Sequence, residues 1–220
     1  MSKQKEMFVR SLLFAGFIAL GLFTLGAVRN QSYEYWYLIY NLILGVIPIG
    51  LAVAAAKLLK TRRWQDWRVN AVTFLWLLFL PNSFYIVSDF IHLPETTRAD
   101  ILQDSVMLMQ FSVIGLVLGF LSLHIVQQAY RRHINDRFAT PAAILILFLC
   151  SFAIYLGRDL RWNSWDILTN PLLLFQDMIS VWFDPLTQVS AIMTTFSFFF
   201  MLVSFYVVMQ CGIAVIKRHP

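Results

Sequence analysis

Six apolar runs restrict this chain more than any other feature. A spanning helix needs ~20 mainly apolar residues. Segments of that kind are read at Phe8–Val28, Trp36–Leu59, Ala71–Ile91, Ser105–Val126, Pro141–Leu156 and Gln188–Ile216. The fifth is the shortest: its sixteen residues give ~24 Å of helix. With 59% hydrophobic and 13% charged residues among 220, no stretch is left for a separate soluble core. Residues 1–220 are therefore expected to form a single integral membrane domain. Backbone polar groups in lipid must be satisfied internally, and these long runs do so as helices. The expected fold is an all-α polytopic bundle of six transmembrane helices.

Charge sets the expected orientation. If the chain crosses six times, 13 of its 17 basic residues fall on one side, including all five lysines. The other side carries only Arg29, Arg98, Arg158 and Arg161, yet holds nine of the 12 acidic residues. Lysine and arginine mark cytoplasmic loops, so both termini are expected in the cytoplasm. This asymmetry also accounts for the basic pI near 9.4 without a nucleic-acid partner, which is excluded. The basic loops Lys57–Arg68 and Arg131–Arg137 are expected to contact anionic lipids at the cytoplasmic face of the bilayer. Lys3, Lys5 and Arg10 before an apolar run resemble a signal sequence, but no small-x-small cleavage site follows, and a retained anchor is expected. Cys150 and Cys211 lie in apolar runs with no metal or redox spacing.

One further apolar run, Leu172–Phe183, is too short to span and carries Gln176, Asp177 and Ser180. Asn170 is the expected N-cap and Pro171 suits the first helical position. This reads as an amphipathic helix in the outer interface, anchored by Trp182.

Three constellations could carry chemistry. The first is P-N-S-F-Y-I-V-S-D-F-I-H-L, Pro81–Leu93. Pro81 removes a backbone donor and is expected to break the third helix. Beyond it Asn82, Tyr85, Asp89 and His92, spaced by three, four and three, make one polar stripe on a helix. Such a stripe belongs in the bundle interior, although interhelical hydrogen bonding alone would also explain Asn82 and Ser83. The second is G-R-D-L-R-W-N-S-W-D, Gly157–Asp166. Arginine's planar fork suits carboxylate or phosphate, so Arg158 and Arg161 suit an anionic ligand. Alternatively they pair with Asp89, Glu95, Asp159 or Asp166 and merely brace the loops. Trp162 and Trp165 read as interface anchors or as a stacking platform. The third combines Asp89, His92 and Glu95, with Asp100 and Asp104, as oxygen and imidazole donors for a hard cation; a solvated acidic loop explains the same residues. Gln110 is read as facing the same cavity. His124, His133 and His219 read as surface histidines. The sequence contains no Gly-rich phosphate loop, H-E-x-x-H or G-x-S-x-G, so no cofactor is named.

Together the first two motifs resemble an uncharacterised family of prokaryotic membrane proteins, the domain of unknown function 1361. Its pattern is P-N-x-x-Y-[IL]-x-[ST]-D-[LF]-x-H-L followed by G-R-x-x-R-[WL]-N-S-W-D. Pro81, Asn82, Tyr85, Asp89, His92 and Leu93 match the first part. Gly157, Arg158, Arg161, Asn163, Ser164, Trp165 and Asp166 match the second. The likeness runs roughly from the second helix to the last, and Phe84 stands where the family more often has proline. The resemblance implies a bacterial or archaeal inner membrane and makes the two motifs parts of one site; it brings no activity.

The leading expectation is an extracytoplasmic-facing site for a small polar or anionic ligand or a lipid headgroup, in a transport or sensing component. Asn82, Tyr85, Asp89 and His92 would form one wall, and Arg158, Arg161, Asn163, Trp165 and Asp166 the other. Two alternatives stay open. One is a membrane-embedded enzyme acting on a lipid-linked or phosphorylated envelope substrate, with Asp89 or His92 as general acid or base. The other is a non-catalytic accessory protein with a partner subunit.

Overall fold

A computed structural model describes residues 3–31, 33, 35–95, 101–133, 136–181 and 183–218. Its described elements are all helical: α1 (Lys3–Asn30), α2 (Trp36–Leu58), α3 (Trp67–Tyr85), a 3-10 helix (Ile86–Glu95), α4 (Ile101–Tyr130), α5 (Asp136–Arg158), α6 (Asp166–Thr169), α7 (Pro171–Ser180) and α8 (Pro185–Arg218). Six of these segments are long and apolar enough to cross a membrane, and the chain is a multi-pass helical bundle. Glu34, Arg98, Asp100, Trp182 and His219, and the side chains of His92 and Glu95, lie outside the described residues.

Helix α4 is the axis of the bundle and packs against α1, α2, α3 and the 3-10 helix, while α8 rests mainly on α5. Close approach depends on missing side chains. A Cβ on Gly115 would sit 2.5 Å from the Ser83 carbonyl oxygen, and one on Gly119 would sit 2.5 Å from the Phe84 ring. Small residues of this kind let membrane helices approach to backbone contact. Buried polar groups reinforce the seams. The Ser83 hydroxyl donates to the Gly45 carbonyl at 2.7 Å, and the Trp76 indole donates to Ser122 at 2.6 Å.

Pro81 does not itself end the third helix. Helix α3 continues through it to Tyr85 and changes to 3-10 geometry at Ile86. Proline removes one donor and leaves the flanking bonds available, so the helix survives it here. At the changeover, serine hydroxyls take carbonyls that α geometry would have used. Ser88 donates to Tyr85 O at 2.7 Å and Ser112 to Ile86 O at 3.3 Å. Ten residues of 3-10 helix is long for that geometry. The three-residue turn sets Ile86 and Asp89 in one line, and both are buried.

Two boundaries differ from expectation. Helix α5 has 23 residues against the sixteen expected, because Asp136–Thr140 extends it before Pro141 and Gly157 and Arg158 continue it beyond Leu156. Asn170 precedes α7 but makes no side-chain cap bond; its amide instead donates to Thr169 Oγ1 at 3.3 Å. Helix α7 turns Leu174, Asp177 and Met178 inward and exposes Leu172, Leu173, Phe175 and Ile179. It is amphipathic as expected, with its apolar face outward.

Cross-helix bonds group the ends of the helices. Arg29 reaches Gln103 at 2.9 Å, so the end of α1 lies beside the start of α4. His133 meets the Leu59 carbonyl at 3.0 Å, joining the end of α2 to the end of α4. The first group, with the α5–α8 connection, is the acidic end; the second is the basic end.

Candidate functional site

The two sequence motifs meet at the acidic end. A cavity of about 190 Å³ lies between α2, α3, α5 and the connection that follows α5. Pro81, Asn82 and Tyr85 of α3 line it, and Gly157, Trp162, Asn163 and Ser164 of the second motif face them. The contact is direct: Asn82 Nδ2 donates to Ser164 Oγ at 2.8 Å and to Phe79 O at 3.0 Å. Gly157 lies against the Tyr85 ring, where an added Cβ would meet Cε2 at 3.1 Å.

The second motif reaches the cavity through a reversal of the chain. Arg161 has a φ of 59°, a left-handed conformation that costs a non-glycine residue ~1–2 kcal/mol. The Trp162 amide then donates back to Leu156 O at 3.1 Å, folding the loop over the end of α5. The Trp162 indole faces the cavity, and its N–H donates to Asp177 of α7 at 3.0 Å. With Leu174 in the lining, α7 acts as a cover over the site. Asp184 accepts the Thr187 hydroxyl and amide and the Leu186 amide at the start of α8. Those donors hold its carboxyl below the usual carboxylate range.

Several expected site residues sit elsewhere. Trp165 and Asp166 do not line the cavity. Asp166 opens α6, and its Oδ2 accepts from the Asn163 amide at 2.7 Å and from Asn163 Nδ2 at 3.3 Å. It therefore braces the loop and presents Asn163. The polar stripe also divides. Asn82 and Tyr85 face the cavity, whereas Asp89, 4% exposed, accepts from Asn41 Nδ2 at 3.0 Å. The change to 3-10 geometry at Ile86 turns Asp89 off the α-helical line. Asn41 lines the cavity, so Asp89 supports the wall from behind. Gln110 points away and donates to Ala15 O of α1 at 3.2 Å.

Asp104 is buried and accepts from the Tyr35 hydroxyl at 3.0 Å, which removes it from a solvated acidic loop. Among the described residues no group of three His, Cys, Asp or Glu is arranged to hold a metal.

Among the described residues neither Arg158 nor Arg161 forms an ion pair. Neither arginine lines the cavity: Arg158 is half-buried next to the lining residue Gly157, and Arg161 is exposed next to Trp162. Asp159 accepts instead from Ser190 of α8 at 3.4 Å.

The lining includes residues outside the expected site. Tyr40 and Asn41 come from α2, which carries neither motif. Ser164 lies within the second motif, and Trp162 replaces Trp165 as the inward indole. Asp177 was legible from the spacing of Leu174, Asp177, Met178 and Val181, the inward face of α7.

A family model described as Protein of unknown function (DUF1361) matches residues 40–206. The chain belongs to that family, and the match contains every residue that lines the cavity. Comparison with curated proteins and with solved structures gave no match.

Proposed function

We propose that the acidic-end cavity binds a small polar or anionic molecule, or the anionic headgroup of a lipid. The protein would then serve as a transport or sensing component. The observation that carries this reading is the pair Arg158 and Arg161, which make no ion pair among the described residues and are chain neighbours of Gly157 and Trp162 in the lining of a partly polar cavity. Nine acidic residues are assigned to this side by the sequence, and a merely structural arginine here would be expected to pair with one of them, which neither does among the described residues. The lining supplies neutral groups, from the Asn41, Asn82 and Asn163 amides to the Tyr85 and Ser164 hydroxyls. Such groups orient a ligand, while guanidinium forks supply charge. The volume of about 190 Å³ is below the ~300–1,000 Å³ of sites for larger ligands, which favours a small molecule or a headgroup.

The charge asymmetry of the sequence and the family resemblance support a prokaryotic cytoplasmic membrane, with both termini inside and this cavity outside. The enzyme reading has less support, because the Asp89 carboxylate turns from the cavity toward Asn41.

Charged thiol reagents test the proposal. Ser164→Cys is placed in a Cys211→Ser background, Cys150 being fully buried. An anionic methanethiosulfonate should react several-fold faster than its cationic counterpart, after correction for their rates with a free thiol. Arg158→Ala should remove that preference. A cationic preference, or an anionic one that persists in Arg158→Ala, contradicts the reading. In intact cells, reaction only after permeabilisation reverses the orientation.

A further inference from the structure

A second cavity, of about 340 Å³, opens at the basic end between α3, α4 and α5. Its walls are mostly apolar: Trp76, Leu123, Val126, Phe138, Ala143 and Ile146. The space arises from small side chains, since Ala139, Ala142 and Ala143 open α5 where bulkier residues would fill the gap.

We propose that this cavity seats one acyl chain of an anionic phospholipid, with the headgroup held at the basic rim. Three observations select this occupant. Deep in the lining, the Thr73, Tyr130 and Gln127 side chains are already engaged with one another or with the protein. Thr73 and Tyr130 share a hydrogen bond of 2.8 Å. Gln127 Nε2 donates to Ala139 O at 3.0 Å and Tyr206 Oη at 2.8 Å, and its Oε1 accepts from Gln210 at 3.0 Å. A buried water needs two to four polar partners, so these walls suit a hydrocarbon better.

The mouth also opens laterally, because Asn70, Phe138 and Ala142 are exposed on the surfaces of α3 and α5. Those helices are long and apolar enough to cross a membrane, so a lipid chain can enter from the side. Finally, the rim is cationic and aromatic. Arg131 is part of the lining, Arg132 adjoins it, and Trp64 is exposed beside them. Trp and arginine at a membrane boundary match the depth and charge of a phosphate group. A headgroup alone would leave the apolar walls unfilled, and the exposed Arg132 beside the rim favours an anionic headgroup over a neutral one.

Native mass spectrometry of the full chain in detergent tests this. Dioleoyl phosphatidylglycerol, dioleoyl phosphatidylcholine and inorganic phosphate are the probes. One phosphatidylglycerol should bind at least fivefold more tightly than phosphatidylcholine. Ala142→Phe should weaken that first binding at least tenfold. Arg132→Gln should bring the two lipids to near equality while leaving phosphatidylcholine unchanged. Equal affinities in the wild type, unchanged binding in Ala142→Phe, or displacement of phosphatidylglycerol by equimolar phosphate overturns the proposal. If Ala142→Phe fails to fold, tryptophan quenching by limiting amounts of chain-brominated phosphatidylglycerol decides between wild type and Trp76→Phe, which removes the indole of the apolar wall. Weaker fractional quenching in Trp76→Phe supports the seated chain, and equal quenching overturns it.

Discussion

The two cavities open at opposite ends of the same helices, α3 and α5, and their walls differ in kind. At the acidic end amides, hydroxyls and an indole share the walls of a small space with Leu44, Leu78, Leu156 and Ile167, and a loop and α7 cover it. At the basic end the space is larger, mainly apolar and bordered by arginine and tryptophan. Leu80, Leu147, Cys150 and Ile154 are fully buried in the core cluster of the bundle. The contrast shows two ways to leave space inside a helix bundle. An apolar gap needs only small residues such as Ala142 and Ala143. A polar gap needs every surrounding group to be oriented, because an unpaired polar group in this environment costs several kcal/mol.

That difference predicts separable responses. Gly157→Leu should have the strongest effect at the acidic end. Even a Cβ there approaches Tyr85 to 3.1 Å, and a full side chain would occupy the cavity. Labelling of Ser164→Cys should slow at least tenfold, while phosphatidylglycerol binding at the other end stays within twofold. Loss of both would mean that the two cavities are one mechanical unit. Trp162→Phe removes the donor to Asp177 and should cost about 1–2 kcal/mol, read as a lower melting temperature and faster proteolysis between residues 159 and 184. Cleavage at the basic end should not change.

The smallest effect concerns the two helix-start carboxylates. Asp66 accepts from Arg62 Nη1 and the Arg68 amide, both at 2.9 Å, and these donors hold it below the usual carboxylate range. Asp184 is lowered in the same way by Thr187 and Leu186. A depressed folded pKa gives stability that is present above the ordinary carboxylate range and lost as pH falls through the folded value. The melting-temperature deficits of Asp66→Asn and Asp184→Asn should therefore be present at neutral pH and shrink on acidification. A deficit that grows toward acid would reverse the sign.

Much of this architecture was legible in the sequence. Hydropathy located the six spans, since length and apolarity are local properties of the chain. The motifs supplied Asn82, Tyr85 and Asn163, and spacing placed Asn82 and Tyr85 on one face. What spacing could not supply was the partner of each face. Asn41 lies in α2 without a motif, and only the packing of α2 on α3 brings it to the cavity and to Asp89. The choice of Trp162 over Trp165 follows from the left-handed backbone at Arg161, which no local propensity favours. Asp89 left the expected stripe because the helix changed pitch five residues beyond Pro81. The basic-end cavity had no signal of its own, since alanines in a helix read as ordinary helix formers.

The decisive experiment asks whether the acidic-end cavity holds a molecule. Gently purified wild type, Arg158→Ala and Asn82→Ala would be compared by mass spectrometry of the small molecules and lipids they release. A specific polar or anionic species should be retained by the wild type and lost from both variants, each of which keeps its fold and its phosphatidylglycerol. Identical released profiles from all three folded proteins would contradict the site.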